Sequence, residues 1–394
     1  MEVLFLIGAV QALFLSLMIL NKKNKTNSDW ILFSWLITCF IHILAFYAES
    51  ISIKHNFKYP HLLSISSPFP LVHGPLVFLY IKSLTQSARI KVKEYLVHSI
   101  PFIITAIYLS FILYFKNGTE KIELVKEFNQ SGLPWHAMLF LPFIMLSGPV
   151  YILWSLKLIR KHKKNISEQF SYTDKIDLNW IRTILFGLGT TWIVVILVEA
   201  LSDVFMVMDE YIGGSVIFSF ATFLVFFIGY YGIRQTSIFQ NEAKESSTIK
   251  PKLKEKCGNE DIEKIEESRK YLKSGLNSED ADRYYKLLNS KMNEQKYFLN
   301  DKLSLAFLAQ EINIHPNYLS QIINQKGQMN FFDFVNSFRI EYFKEKLLDP
   351  ESNNLTLEAL AYDCGFSSKS AFNRTFKKLT GYTPSEYKTT NLRA

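Results

Sequence analysis

Three cysteines, Cys39, Cys257 and Cys364, are all that a chain of 394 residues contains. So few, so far apart, exclude a disulfide framework and a cysteine-rich zinc site. Charged residues make up only 20% of the chain against 48% hydrophobic, which excludes a disordered polymer, and 16 glycines with 12 prolines exclude a collagen-like one. No HExxH, no His-carboxylate pair at metal spacing and no serine in a nucleophile context occurs, so the sequence predicts no enzyme, no metal and no cofactor. Met1-Glu2 offers no basic leader for a signal peptide. Phenylalanine is abundant, at 33 residues, and nearly all long apolar runs fall before residue 235. The formal charge of +8 divides into +6 for 1–234, 0 for 235–286 and +2 for 287–394. Basicity alone therefore does not mark a nucleic-acid binder.

Seven apolar stretches, roughly 3–20, 30–48, 62–81, 95–115, 136–156, 181–203 and 213–233, have about the 20 residues that cross a ~30 Å hydrocarbon layer. Soluble core helices rarely run so long without a polar face. Loops 21–29, 82–94 and 157–180 hold three, four and six Lys/Arg, while 49–61, 116–135 and 204–212 hold two, three and none. The positive-inside rule then puts the first set in the cytoplasm, the N-terminus outside and the C-terminal half inside. A lipid bilayer is the first expected partner, and a multi-pass protein of a bacterial inner membrane the expected localisation.

Polar residues within apolar spans are costly and so are candidates for function. They are His42, His73, His98 and Glu199, with Glu49 and Asp203 near span ends. His73-Gly74-Pro75 is expected to break or loosen the third helix, as breaks that line ligand sites do. His73 and Glu199 are thus a candidate intramembrane signal site for an unknown ligand or membrane partner. The plainer reading makes each a helix–helix hydrogen bond. A transporter or membrane enzyme that uses the charged C-terminal part as a feedback tail is the rival, but no internal repeat supports it.

Residues 235–286 are a charged linker. Ile262, Ile265, Leu272 and Leu276 fall near heptad spacing with Arg269 between them, which fits either a short dimerising helix or a solvated tether. The stretch 240–260 is also where proteolysis would release the tail.

Further on, Leu305, Leu308, Ala309 and Ile312 repeat at i, i+3, i+4, i+7 behind Ser304 as cap. A turn at 313–315 follows, and Pro316 suits the first turn of a second helix. That helix turns Leu319, Ile322 and Ile323 inward and leaves Asn317, Tyr318, Ser320, Gln321 and Asn324 outward. The pattern recurs with Leu357, Leu360, Ala361 and Cys364 behind Thr356, then Gly365 as the turn and Ser367 or Ser368 as cap. Its second helix faces inward with Ala371, Phe372, Phe376 and Leu379, and outward with Lys369, Ser370, Asn373, Arg374, Lys377 and Lys378; Pro384 is expected to end the unit. Between the pairs a helix over about 331–348 carries Phe331, Phe334, Val335, Phe338 and Tyr342 on one side. Its roughly 27 Å would hold two recognition helices near one DNA turn, about 34 Å, apart.

The string ALAYDCGFSSKSAFNRTFKKLTGYTPSEY (359–387) resembles the closing motif of the AraC/XylS transcription regulators, and 303–325 and 334–348 resemble the first motif and linker helix of the same family. The resemblance covers about 287–391. It implies double-stranded promoter DNA as ligand, RNA polymerase as partner and homodimers as an option. By motif position, Asn317, Ser320 and Gln321 would face bases, as would Lys369, Ser370 and Asn373, with Arg374 on a base or phosphate and Lys377 on phosphate. Residues 303–330 have no net charge and 368–393 have +5, so the second unit is expected to supply most phosphate attraction. The segments 74–85 and 177–185 resemble motifs of membrane-anchored regulators of this type. The expected architecture is all-α: a seven-transmembrane-helix bundle (1–234) that senses or anchors, the linker (235–286) and a cytoplasmic double helix-turn-helix domain (287–391).

Overall fold

The computed structural model describes residues 2–86, 90–132, 134–172, 178–201, 212–231, 278–352 and 354–391. The possible dimerising helix of the linker, the 240–260 stretch and Asp203 lie outside the described residues. Among those described, the chain is helical, with one isolated antiparallel bridge between Phe170 and Ser304. It divides into two compact units, 1–160 with 179–237, and 161–178 with 238–394.

The first unit holds α1 (Glu2–Leu20), α2 (Asn27–Lys54), α3 (Pro70–Thr85), α4 (Val92–Leu109), α5 (Gly118–Ser131), α6 (Trp135–Met138), the first part of α7 (Leu141–Gln169), α8 (Asn179–Glu199) and α9 (Ile212–Tyr231). A wider π turn, Ser110–Tyr114, prolongs α4. Among the described residues, six helical segments are long and apolar enough to cross a membrane: α1, α2, α4 with its π turn, α6 through α7, α8 and α9. Large apolar side chains face outward along them, Phe143, Leu153, Phe186 and Ile193 among them, a surface that water-soluble monomers avoid. Inside, the helices approach closely at small residues: a Cβ on Gly148 would lie 2.0 Å from the Trp192 ring.

The third apolar stretch departs from expectation. A 3-10 turn at Pro60–Leu62 and a left-handed Ser64 (φ 59°) occupy its start, and the helix begins only at Pro70. Hydropathy cannot see this, because the turn residues between are themselves mostly apolar. At 16 residues, α3 is about 24 Å long. Nor does His73-Gly74-Pro75 break it. Pro75 lies inside a continuous helix, at the cost of the one hydrogen bond that its missing N–H cannot make to the carbonyl four residues back. α7 also outruns its expected end at 156, reaching Gln169 through residues expected to be loop.

The second unit contains α10 (Ser278–Gln295), α11 (Leu305–Glu311), α12 (Pro316–Gly327), α13 (Phe331–Leu348), α14 (Leu357–Asp363), α15 (Lys369–Thr380) and α16 (Pro384–Asn391). It has two cores. Leu288, Met292, Phe298, Leu308, Leu319, Ile323 and Phe334 build one; Ile340, Phe343, Leu347, Leu360, Phe366, Phe372 and Phe376 build the other. α13 gives its N-terminal half to the first and its C-terminal half to the second. For that reason its buried residues are not a single stripe: Asn336, Arg339, Ile340, Phe343 and Leu347 are buried as well as Phe331, Phe334 and Val335, whereas Phe338 and Tyr342 are half-buried. Leu379, expected inward, is exposed, and Thr375 is buried in its place. Pro384 opens α16 rather than ending the unit. Thr383 and Glu386 cap each other there, at 2.7 and 3.3 Å, and Tyr387 lays its ring 5.3 Å from Phe376.

Candidate nucleic-acid interface

Both helix pairs are fixed by local chemistry. Ser304 Oγ accepts from Phe307 N–H at 3.3 Å and Thr356 Oγ1 from Ala359 N–H at 3.1 Å, which starts α11 and α14. Of the two serines proposed for α15, Ser368 is the cap, accepting from Ala371 N–H at 3.1 Å. Pro316 stands in the first turn of α12, but its cap is His315, whose Nδ1 accepts from Asn317 N–H at 3.2 Å. Each cap satisfies an amide that the first helical turn leaves open.

The outward faces then follow from helical spacing. On α15, Ser370, Asn373, Arg374 and Lys377 recur at i, i+3, i+4, i+7 and are exposed, opposite buried Ala371, Phe372, Thr375 and Phe376. On α12, Asn317, Gln321 and Asn324 are exposed and Ser320 is half-buried. Asn324 Nδ2 donates to the Ser320 carbonyl at 2.9 Å and lies 3.4 Å from its hydroxyl, so Ser320 is less available than its neighbours. Tyr318, expected outward, turns its hydroxyl into a buried position.

Lys369 and Lys378 of α15 are paired with carboxylates from other helices. Lys369 Nζ pairs with Glu358 of α14 at 2.9 Å; the bond to Glu358 raises the lysine pKa and lowers that of the carboxyl. Lys378 Nζ meets both oxygens of Asp333 on α13, at 2.6 and 2.7 Å. A count of charge along 368–393 misses both carboxylates, because they come from elsewhere in the fold. Exposed pairs of this kind contribute little to stability.

The junction between the two helix pairs is a site that spacing did not disclose. Arg339, 1% exposed, uses all five of its N–H groups. Nε donates to the Phe298 carbonyl at 2.7 Å. Nη1 donates to the Ser171 carbonyl and Asn336 Oδ1, both at 3.1 Å. Nη2 donates to the Asn300 carbonyl at 2.7 Å and Ser171 Oγ at 3.2 Å. Burial pulls its pKa down to about 9, opposed by Asp301 and then Cys364, so the group stays charged at pH 7. Its face lies over the Phe366 ring, 5.7 Å from the centroid.

Of the polar residues carried by the apolar helices, His73 is brought together with His42. Trp35 Nε1–H donates to His73 Nδ1 at 3.3 Å, and His73 Nε2 lies 2.9 Å from His42 Nδ1. With Nδ1 accepting, a neutral His73 must carry its proton on Nε2 and donate it to His42. That chain satisfies both ring nitrogens of His73 and ties α2 to α3. His98 Nδ1 likewise meets the Tyr151 hydroxyl at 2.8 Å. Glu199 is the last residue of α8; its side chain lies outside the described residues.

Residues 308–390 match the family model described as a helix-turn-helix domain. The chain is 36% identical over 86 residues to YijO, an HTH-type transcriptional regulator of Escherichia coli strain K12, covering 22% of this chain and 29% of that one. It is 35% identical over 85 residues to YpdC of the same organism, with the same coverage. A third HTH-type transcriptional regulator, SACOL0084 of Staphylococcus aureus strain COL, is 34% identical over 89 residues, 23% of this chain and 12% of its own length. The similarity thus spans less than a third of each of these relatives. No solved structure matches significantly. What the two capped helix pairs build on α13 is a C-terminal helix-turn-helix domain, similar to those of bacterial transcriptional regulators.

Proposed function

We propose that the chain is a membrane-bound, sequence-specific DNA-binding transcription regulator of the AraC/XylS type, coupling a membrane or extracytoplasmic signal to promoter binding. The observation that carries this reading is the pair of capped helix-turn-helix units mounted on one helix of 18 residues, about 27 Å long and so close to one turn of DNA. The amide-rich face of α12 suits adenine edges, and Arg374 suits guanine. Lys377 suits phosphate, and Lys369 reaches DNA by leaving Glu358.

Orientation is argued from charge and parity. With α2 crossing, the basic loops 21–29 and 82–94 share one side only if α3 also crosses, so a short α3 must be met by local thinning of the bilayer or snorkelling of flanking residues. Counting α3, there are seven spans, with the N-terminus outside and the DNA-binding domain in the cytoplasm. A periplasm-active reporter fused after Asn117 should be active, and one fused after Gln86 inactive. Equal activity at both positions would contradict the proposed orientation.

The DNA reading has its own test, on full-length protein in nanodiscs against duplexes selected from a random library. Arg374→Ala should weaken the selected site by about 1–3 kcal/mol while leaving random DNA nearly untouched. Lys377→Ala should lower affinity evenly and flatten the salt dependence by about one counterion. Equal losses on selected and random DNA for Arg374→Ala would remove it from base reading.

A further inference from the structure

We propose that Phe170-Ser171 is a built-in ligand of the DNA-binding unit, a stretch from between α7 and α8 that completes the unit at Arg339 and supports its binding-competent arrangement. The proposal rests on the DNA-binding reading above, and goes beyond it by naming the coupling element.

Residues 161–178 belong to the same compact unit as 238–394, although α8 and α9 separate them in sequence. Within that unit Ser171 is 1% exposed, and every polar group it has is used. Its N–H donates to the Leu303 carbonyl at 3.1 Å, and its hydroxyl donates to the same oxygen at 2.8 Å. Its carbonyl accepts from Arg339 Nη1 at 3.1 Å and Asn336 Nδ2 at 3.3 Å, and its Oγ accepts from Arg339 Nη2 at 3.2 Å. Phe170 pairs with Ser304 as an antiparallel bridge. Two of the five donors of a buried guanidinium therefore end on one residue that lies outside the helix-turn-helix match.

The contacts reach both helix pairs. Leu303 and Ser304 begin the first, since Ser304 caps α11. Asn336 and Arg339 stand on the shared α13, and Arg339 lies over Phe366 at the turn of the second. Ser171 has little slack on its N-terminal side. α7 runs unbroken to Gln169, and Phe170 N–H still bonds the Ile166 carbonyl at 2.9 Å. A shift or rotation of the end of α7 must accordingly move Ser171, and with it two of the bonds that position Arg339.

The test is Ser171→Arg in the full-length protein in nanodiscs, which sets a second guanidinium against Arg339 and alters no residue of 278–391. Hydrogen exchange of 166–172 and 303–308 is read beside affinity for a selected duplex. The expected result is exchange at least tenfold faster in both segments, retained protection in α13, and affinity for DNA at least fivefold weaker. Undocking with unchanged or tighter DNA binding would overturn the proposal, as would unchanged exchange. Should α13 also lose protection, Ser171→Ala, which removes only the hydroxyl, decides: a two- to fivefold weakening supports the coupling and no change refutes it. Wild-type protein that prefers no selected duplex over random DNA would defeat the regulator reading instead, and the exchange experiment would still report whether the segment docks.

Discussion

Arg339→Leu should cost the C-terminal unit about 3–5 kcal/mol. The leucine would fit the apolar surroundings, but it strands the acceptors that now share a cation. The Phe298 carbonyl takes Nε at 2.7 Å inside the core, and a buried acceptor left unpaired costs about 1–3 kcal/mol; the Asn300 carbonyl, which takes Nη2 at 2.7 Å, belongs to an exposed residue and loses less. The Ser171 carbonyl suffers less, because Asn336 Nδ2 also reaches it at 3.3 Å. Loss of the packed guanidinium over Phe366 adds to the total. Lysine is no remedy: a point charge with three donors cannot reproduce a planar fork of five. Native-state hydrogen exchange of α13 checks the figure, which corresponds to roughly 10²- to 10³-fold or greater acceleration. Exchange within threefold of wild type would mean that Arg339 does not hold the two cores together.

The second large effect is expected at Gly365. Its φ of +88° is a region that side chains rarely enter, and a Cβ there would lie 2.4 Å from the Phe298 carbonyl oxygen and 2.9 Å from Leu299 backbone atoms. That oxygen is the one held by Arg339 Nε, so the backbone cannot retreat without breaking the junction. Gly365→Ala should cost about 3 kcal/mol or more, combining the conformational penalty with the clash. Gly381, at φ +82° with open space around its Cβ direction, provides the control. Alanine there carries only the conformational penalty, about 1 kcal/mol. Chemical denaturation of the two variants side by side should separate them by about 2 kcal/mol or more; equal losses would show that the Phe298 backbone yields.

Much of the helix-turn-helix domain was legible because its signals are local. Ser304, Thr356 and Ser368 cap the helices that follow them, Pro316 stands in a first turn, and the bounds of α13 follow from its flanking turns. Burial along α13 was less legible. A helix shared by two cores has no single apolar stripe, so the regular Phe331, Phe334, Phe338, Tyr342 spacing drew attention away from Asn336 and Arg339. Contacts distant in sequence left no trace: Lys369 with Glu358, Lys378 with Asp333, and above all Ser171 with Arg339, 168 positions apart. Among the apolar helices, hydropathy located the segments but not their ends. It could not register that Ser64 and Pro70 delay α3, or that α7 stays helical through its basic residues to Gln169.

On the proposed function, a chain with these apolar helices places its helix-turn-helix domain on promoter DNA. Genome-wide occupancy of the full-length protein in cells, compared with Lys369→Ala/Arg374→Ala, tests it most directly. Discrete sites upstream of genes are expected for the wild type and at least tenfold lower occupancy for the double variant, with equal amounts of both in the membrane fraction. Wild-type signal spread evenly over the genome, or sites that persist unchanged in the variant, would contradict it.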